Sequence, residues 1–154
     1  MSKITEKRDN YQVFMPVTSR WLDNDAYGHL NNMVYYGYFD SAINSYLIQQ
    51  GGLDIQHSDA IGYVVSSGCD YYSPLAFPDA IEVGIRVAHL GNSSVRYELA
   101  MFRQGEDVPA ACGFFVHVFV DRASDKPTPI PNHTRDVLQA LMSDHSADEA
   151  NHAE

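Results

Sequence analysis

The sequence predicts an α+β domain in which a five-stranded antiparallel sheet wraps round one long helix, and three observations point to it. A single segment carries apolar residues at three- and four-residue spacing over several turns, while five others alternate with a period of two. The turns after the later strands are short and built from Gly, Asn and Asp, which suits hairpins and not helical crossovers. Only the one helix is apolar enough to fill the concave side of such a sheet.

In chain order, Tyr11 to Thr18 sets Tyr11, Val13, Met15 and Val17 against Gln12, Phe14, Pro16 and Thr18. This is a strand that Pro16 confines to a sheet edge. A polar segment from Asp23 to Gly28 follows, and Asn31 and Asn32 are good caps for the next element. Tyr35, Tyr36, Phe39, Ala42, Ile43, Tyr46 and Leu47 then repeat with helical spacing up to the Gly51-Gly52 stop, a helix of about four turns. Gly37 within it is expected to mark the close approach of a strand. Strands are expected over Ile61 to Tyr72, Ile81 to Ala88, Ser94 to Met101 and Ala110 to Val120, with a turn at Gly91-Asn92, the sheet being a meander, and a short final helix within Asn132 to Met142. The strand from Ala110 to Val120 is apolar on both faces. One helix cannot cover both, so a second subunit, or the segment Asn132 to Met142, is expected over the second face.

With 154 residues, 45% apolar and 19% charged, the chain has the size and composition of one globular domain, assigned to residues 1–142. The stretch 143–154 holds four acidic residues and no Lys or Arg and is expected to be a disordered tail. The net charge of −10 argues against a nucleic-acid partner. No apolar run reaches the ~18 residues of a membrane span, and Met1 to Asn10 lacks the apolar stretch of a signal peptide. Cys69 and Cys112 stand singly in apolar stretches, which suits core or interface packing and a reduced, cytoplasmic compartment.

The densest polar segment, Arg20 to Asn32, supports three readings. It can be a loop whose Asp and Asn residues make turns and caps. It can hold a metal, since Asp23-Asn24-Asp25-Ala26-Tyr27-Gly28 imitates the start of a calcium loop, but Tyr27 and Val34 occupy positions where that loop needs oxygen ligands. Or it can be catalytic, because a carboxylate and an imidazole stand just before a helix N-terminus, whose free N–H groups stabilise a developing oxyanion. That set suits acyl transfer, with a thioester as the electrophile that needs no strong acid to expel its thiolate.

The pattern Asp23-x-Asp25-x-x-Gly28-His29-x-Asn31-Asn32 ahead of a Tyr-rich helix resembles the hotdog-fold acyl-CoA thioesterases of the 4-hydroxybenzoyl-CoA thioesterase type. The likeness continues through Asp70-Tyr71-x-x-Pro74-Leu75, His89-Leu90-Gly91-x-Ser93-Ser94 and Val118-Phe119-Val120-Asp121-Arg122, spanning residues 11–131. The resemblance implies a hotdog fold that pairs into dimers or tetramers and hydrolyses acyl-CoA at the subunit interface, without a metal or cofactor.

Carried over by position, it makes Asp25 the catalytic nucleophile or general base and Asn32 the residue whose backbone N–H polarises the thioester carbonyl. Asp23 matches a motif position read here as orienting the loop. His29 belongs to one branch of the family and is apolar in the hydroxybenzoyl branch, which favours an aliphatic acyl chain and gives His29 an orienting or proton-shuttling role. Asn31, Tyr35, Ser93 and Arg96 are assigned to substrate. Tyr27, Tyr35, Tyr36 and Tyr38 either line an acyl channel or pack as core. Leu90-Gly91-Asn92-Ser93 lacks the basic cluster of the hydroxybenzoyl branch, so Arg86, Arg96, Arg103 and Arg122 are the candidates for CoA phosphates. Two rival functions share the fold: a hydratase or dehydratase, whose Asp and His stand five apart where Asp25 and His29 are four apart, and a non-catalytic acyl-thioester-binding protein.

Overall fold

The structure, a computed structural model, describes residues 5–142; the stretch 143–154, read above as a tail, lies outside the described residues. Strands β1 (Val13–Thr18), β2 (Ala60–Tyr71), β3 (Ala80–Leu90), β4 (Ser94–Arg103) and β5 (Ala111–Asp121) form one antiparallel sheet with helices α1 (Asn32–Gln49) and α2 (Asn132–Gln139). Strand order is β1-β3-β4-β5-β2. The expected meander therefore holds for β3, β4 and β5, while β2 crosses to the far edge and pairs with β5. Pro16 sits in edge strand β1, where its missing N–H costs no ladder bond.

Alternation decides what faces α1. Val83, Ile85 and Val87 of β3 and Val95, Tyr97, Leu99 and Met101 of β4 enter one core with Tyr35, Phe39, Ala42, Ile43 and Leu47 of α1. This is the hotdog arrangement, a sheet curled round its central helix. α1 begins at an Asn31 cap whose side chain accepts from Met33 N–H. It ends where Gly51 and Leu53 N–H both return to Leu47 O and Gly52 takes a positive φ of 75°.

Three expectations are corrected. Phe115 and Phe119 on β5 are covered by α1 of the same chain: the Phe115 ring stands 6.3 Å from Tyr36 and 6.4 Å from Phe39. α2 instead caps the other end of the sheet, with Leu138 and Leu141 in the core and Leu141 O accepting from Val87 N–H. Gly37 has no strand against it, because a Cβ there would meet nothing within 4 Å. Tyr11 lies outside β1 and on the opposite face from Val13 and Met15, in a second cluster with Ala100 and Phe102. Gly84 explains the switch, since a Cβ at that position would lie 3.0 Å from the Tyr11 side chain.

The edge of the sheet opposite β1 is β2. Among the described residues its 12 residues pair only with β5, and Tyr63, Val64 and Val65 are exposed around a bulge between Val64 and Ser66. No helix among the described residues is long and apolar enough to cross a membrane.

Candidate active site

The segment from Asp23 to Asn31 is held by its backbone. Asp25 N–H donates to His29 O, Gly28 N–H to Asp25 O, Asn31 N–H to Asp23 O and Leu30 N–H to Leu75 O, at 2.7–3.1 Å. Gly28 supplies the positive φ of 82° that this tight turn requires. Asn24 Oδ1 accepts from Phe77 N–H, so the loop is stitched to residues 75–77 at two points.

Asp23 is nearly inaccessible at 2% exposure. Its carboxylate accepts from the Arg20 side chain and N–H and from the Tyr38 hydroxyl. Burial alone would raise its pKa, but these donors outweigh burial and hold it below the usual carboxylate range. Tyr38 is thus a core residue with a polar tip employed in loop anchoring. The orienting role read for Asp23 agrees with this geometry.

Asp25 is different, half-buried in a cleft of about 410 Å³ that it shares with His29, Asn32, Tyr35 and Tyr71. Its Oδ1 accepts from Tyr27 N–H at 2.8 Å and, more weakly, from His29 N–H at 3.5 Å. Oδ2 makes no hydrogen bond among the described residues. The exposed His29 ring shares the cleft, but no side-chain hydrogen bond joins it to Asp25. Asn32 opens α1, and among the described residues its N–H has no acceptor, whereas the next N–H is taken by the Asn31 side chain. Asp25 and Asn32, the first residue of α1, thus line one small cleft.

The opposite wall comes from the end of β2 and the loop after it. Tyr71 donates to Asn32 O at 3.3 Å and packs edge-on against Tyr35 at 4.9 Å; Tyr72, Ser73 and Pro74 complete the wall. Sequence reasoning assigned none of these four to the site, although Tyr71 and Pro74 lie in the Asp70-Tyr71-x-x-Pro74-Leu75 pattern. Tyr36 is half-buried beside Phe115, and Tyr27 is exposed.

Two predicted substrate residues lie elsewhere. Ser93 sits in the β3–β4 turn, where its carbonyl accepts from Phe119 N–H, and Arg96 is on the outer face of β4 with its guanidinium 4.1 Å above the Phe114 ring. Of the other Arg candidates, Arg86 is paired with Glu6 and Glu98, and Arg103 with Asp79 and Glu106. Arg122 donates to the Ser58 and Ile55 carbonyls. Arg96 alone of the four has a side chain that makes no hydrogen bond or ion pair among the described residues.

At the far end of α1, His117 is 2% exposed, and neither ring nitrogen has a hydrogen-bond partner among the described residues. Burial lowers its pKa from 6.5 to about 4. The unfolded chain therefore binds a proton at His117 near pH 6.5 that the folded chain refuses until near pH 4, so this group withdraws stability as pH falls through that window, by up to about 3 kcal/mol. Urea unfolding of wild type and His117→Leu at pH 7.5 and 4.5 should show a smaller acid loss in the variant; equal losses would show that His117 does not titrate in this way.

A five-stranded antiparallel sheet curled round one long central helix defines a protein of the hotdog class. Residues 19–141 match the model of the thioesterase-like superfamily, and the chain belongs to that family. It is 57% identical to the PA5185 protein of Pseudomonas aeruginosa strain PAO1, whose crystal structure superposes with a TM-score of 0.88 over 90% of this chain and 96% of that one. A thioesterase of Thermus thermophilus, crystallised with coenzyme A and Zn, is 30% identical with a TM-score of 0.70, covering 86% of this chain and 96% of that one. The uncharacterized protein YsmA of Bacillus subtilis (strain 168) is 24% identical over 134 residues, 86% of this chain and 89% of that protein.

Proposed function

We propose that this protein hydrolyses an acyl-CoA thioester with an aliphatic acyl chain, releasing the free acid and CoA. The observation that carries the reading is the Asp25 carboxylate sharing a cleft with the unpaired N–H of Asn32. In that cleft the thioester oxygen accepts from Asn32 N–H, helped by the positive end of α1. Asp25 either attacks the carbonyl carbon, giving an acyl-aspartyl anhydride that water then cleaves, or takes a proton from the water that attacks. In both routes the C–S bond breaks as the tetrahedral intermediate collapses, and CoA leaves as a thiolate. In a single turnover in ¹⁸O water, label in the Asp25 carboxyl identifies nucleophilic attack with water opening the anhydride at the aspartyl carbonyl.

Asn31 supports the site by capping the helix, and Tyr35 with Tyr71 supplies an apolar wall for the acyl group. Ser93 and Arg96 reach a substrate only from a second copy, so their assignment rests on oligomerisation. A dimer or tetramer is supported by the long open edge of β2 and its exposed Tyr63, Val64 and Val65, since such edges are normally covered. Light scattering should give at least twice the chain mass; a monomer would overturn this part of the reading. The two free cysteines suit a reducing, cytoplasmic setting.

Incubation with acyl-CoAs of graded length, reading free thiol and hydrated product together, tests the whole proposal. Thiol release without hydrated product supports it, hydrated product points to a hydratase, and binding without turnover points to a carrier. For His29, the expected result is that His29→Gln loses one limb of the pH profile of kcat/KM at unchanged melting temperature. Profiles of the same shape, with a loss under about threefold, would make His29 structural.

A further inference from the structure

The Asp25 loop is anchored on two sides. Towards α1 it is held through Asp23, which accepts from the Tyr38 hydroxyl with its carboxylate and from Asn31 N–H with its carbonyl. Towards the sheet it is held by residues 75–77, where Leu75 O accepts from Leu30 N–H at 2.7 Å and Phe77 N–H donates to Asn24 Oδ1 at 3.0 Å. Residues 74–79 are tied in turn to the Arg103 side chain at the end of β4. Its Nη2 donates to Pro74 O, its Nε donates to Asp79 Oδ2 at 3.3 Å, and Nη1 lies 3.6 Å from Glu106 Oε2. Asp79 Oδ2 also accepts from Ala76 N–H at 3.0 Å, and Asp79 O from the Ser19 hydroxyl at 2.8 Å. The consecutive carbonyls of Pro74 and Leu75 are therefore divided between the sheet and the Asp25 loop. Leu75 is buried in the core, whereas Pro74, which lines the cleft, is exposed and its carbonyl has no other donor among the described residues.

We infer that Arg103 is a positioning residue for the reaction proposed above, on which this reading rests. Standing outside the cleft lining, it fixes the Pro74 wall and, one peptide further, the Leu75 carbonyl that accepts from the Asp25 loop. A guanidinium suits the task, because its Nε and Nη2 donate in two fixed directions, here to a carboxylate and a carbonyl at once. A lysine ammonium has no such fork. A site for acyl transfer is sensitive to anchors of this kind, since a misplacement of about 1 Å can cost about 100-fold in rate. The same geometry speaks against Arg103 as a ligand of CoA phosphates, the role open to it from sequence. Its nitrogens already face Pro74 O, Asp79 and Glu106, and a phosphate would have to break the bonds that hold the wall.

The test uses Arg103→Lys, which keeps the charge and the aliphatic stem. With the acyl-CoA that wild type turns over fastest, kcat should fall at least about tenfold while KM stays within about twofold, at a temperature where both proteins are folded. The same loss is expected with the N-acetylcysteamine thioester of that acyl group, which carries no phosphates. A rise in KM confined to the CoA ester would make Arg103 a phosphate ligand, and unchanged kcat would make it merely structural; either result overturns the inference. Hydrogen exchange reads the anchor without activity. Leu30 N–H, bonded to Leu75 O, should exchange at least about tenfold faster in the variant, with the Leu99 amide inside the sheet unchanged. Unchanged exchange at Leu30 would also overturn the inference. If Arg103→Lys does not fold, Asp79→Asn, which removes the ion pair but leaves an acceptor for Ala76 N–H, is read by the same measurements with shifts expected in the same direction. If wild type hydrolyses no acyl-CoA, the proposed function fails, while exchange at Leu30 still decides whether Arg103 holds the loop.

Discussion

Asp25→Asn is expected to lower acyl-CoA turnover at least about 100-fold, the contribution of a positioned nucleophile or general base, while leaving the fold intact. The reason for intact folding is specific to this loop. Asp25 Oδ1 is an acceptor from Tyr27 N–H, and the amide oxygen of Asn accepts the same bond, so only the charge and the free Oδ2 are lost. The melting temperature should stay within a few degrees. Asp23→Asn should act in the opposite sense, with a milder effect on turnover and a larger one on stability, because the buried Asp23 carboxylate holds Arg20 and Tyr38. Retention of more than a third of wild-type turnover by Asp25→Asn with every acyl-CoA tried would remove Asp25 from the mechanism.

The largest stability effect is expected at Phe115. Replacing it by Lys puts an ammonium among the rings of Tyr36, Phe39 and His117 and removes a buried ring. The combined cost is of order 5 kcal/mol or more, comparable with the whole stability of a domain this size. Circular dichroism should show a largely unfolded chain. Val118→Lys, three residues along on the outer face of the same strand beside Ser94 and Tyr63, should remain folded. If Phe115→Lys folds with wild-type cooperativity, β5 does not pack as described.

This contrast also shows what could be read from sequence. The period of two in β3, β4 and β5 and the helical spacing in α1 reflect burial on one side, so the elements and their inward faces were legible. The two-faced β5 was legible as well, but its partner was not: helical spacing does not say how far a helix reaches, and α1 covers Phe115 and Phe119 without help from a second subunit. Tyr11 and Gly37 were misread for a related reason, since whether a ring changes faces, or a glycine meets a strand, depends on neighbours far along the chain. In the cleft, Asp25, His29, Asn32 and Tyr35 are contiguous in sequence and were found together. Tyr71 and Pro74 enter only because β2 ends there after crossing the sheet. The placement of Ser93 at the opposite end of the sheet was equally hidden by linear order.

The loop bearing Asp25 is fastened by main-chain bonds, Asp25 N–H to His29 O and Leu30 N–H to Leu75 O, with Gly28 at its turn. Main-chain fastening is indifferent to most side chains. The side chains of Ala26 and Tyr27 point away from a frame that they do not build, so exchanging them alters the surface beside the cleft without shifting the carboxylate. Gly28, Asp23 and Asn31 have no such freedom, because their conformation or hydrogen bonds make the frame. The loop therefore separates two evolutionary tasks, keeping the reaction and changing the substrate, and assigns them to different positions of one nine-residue segment.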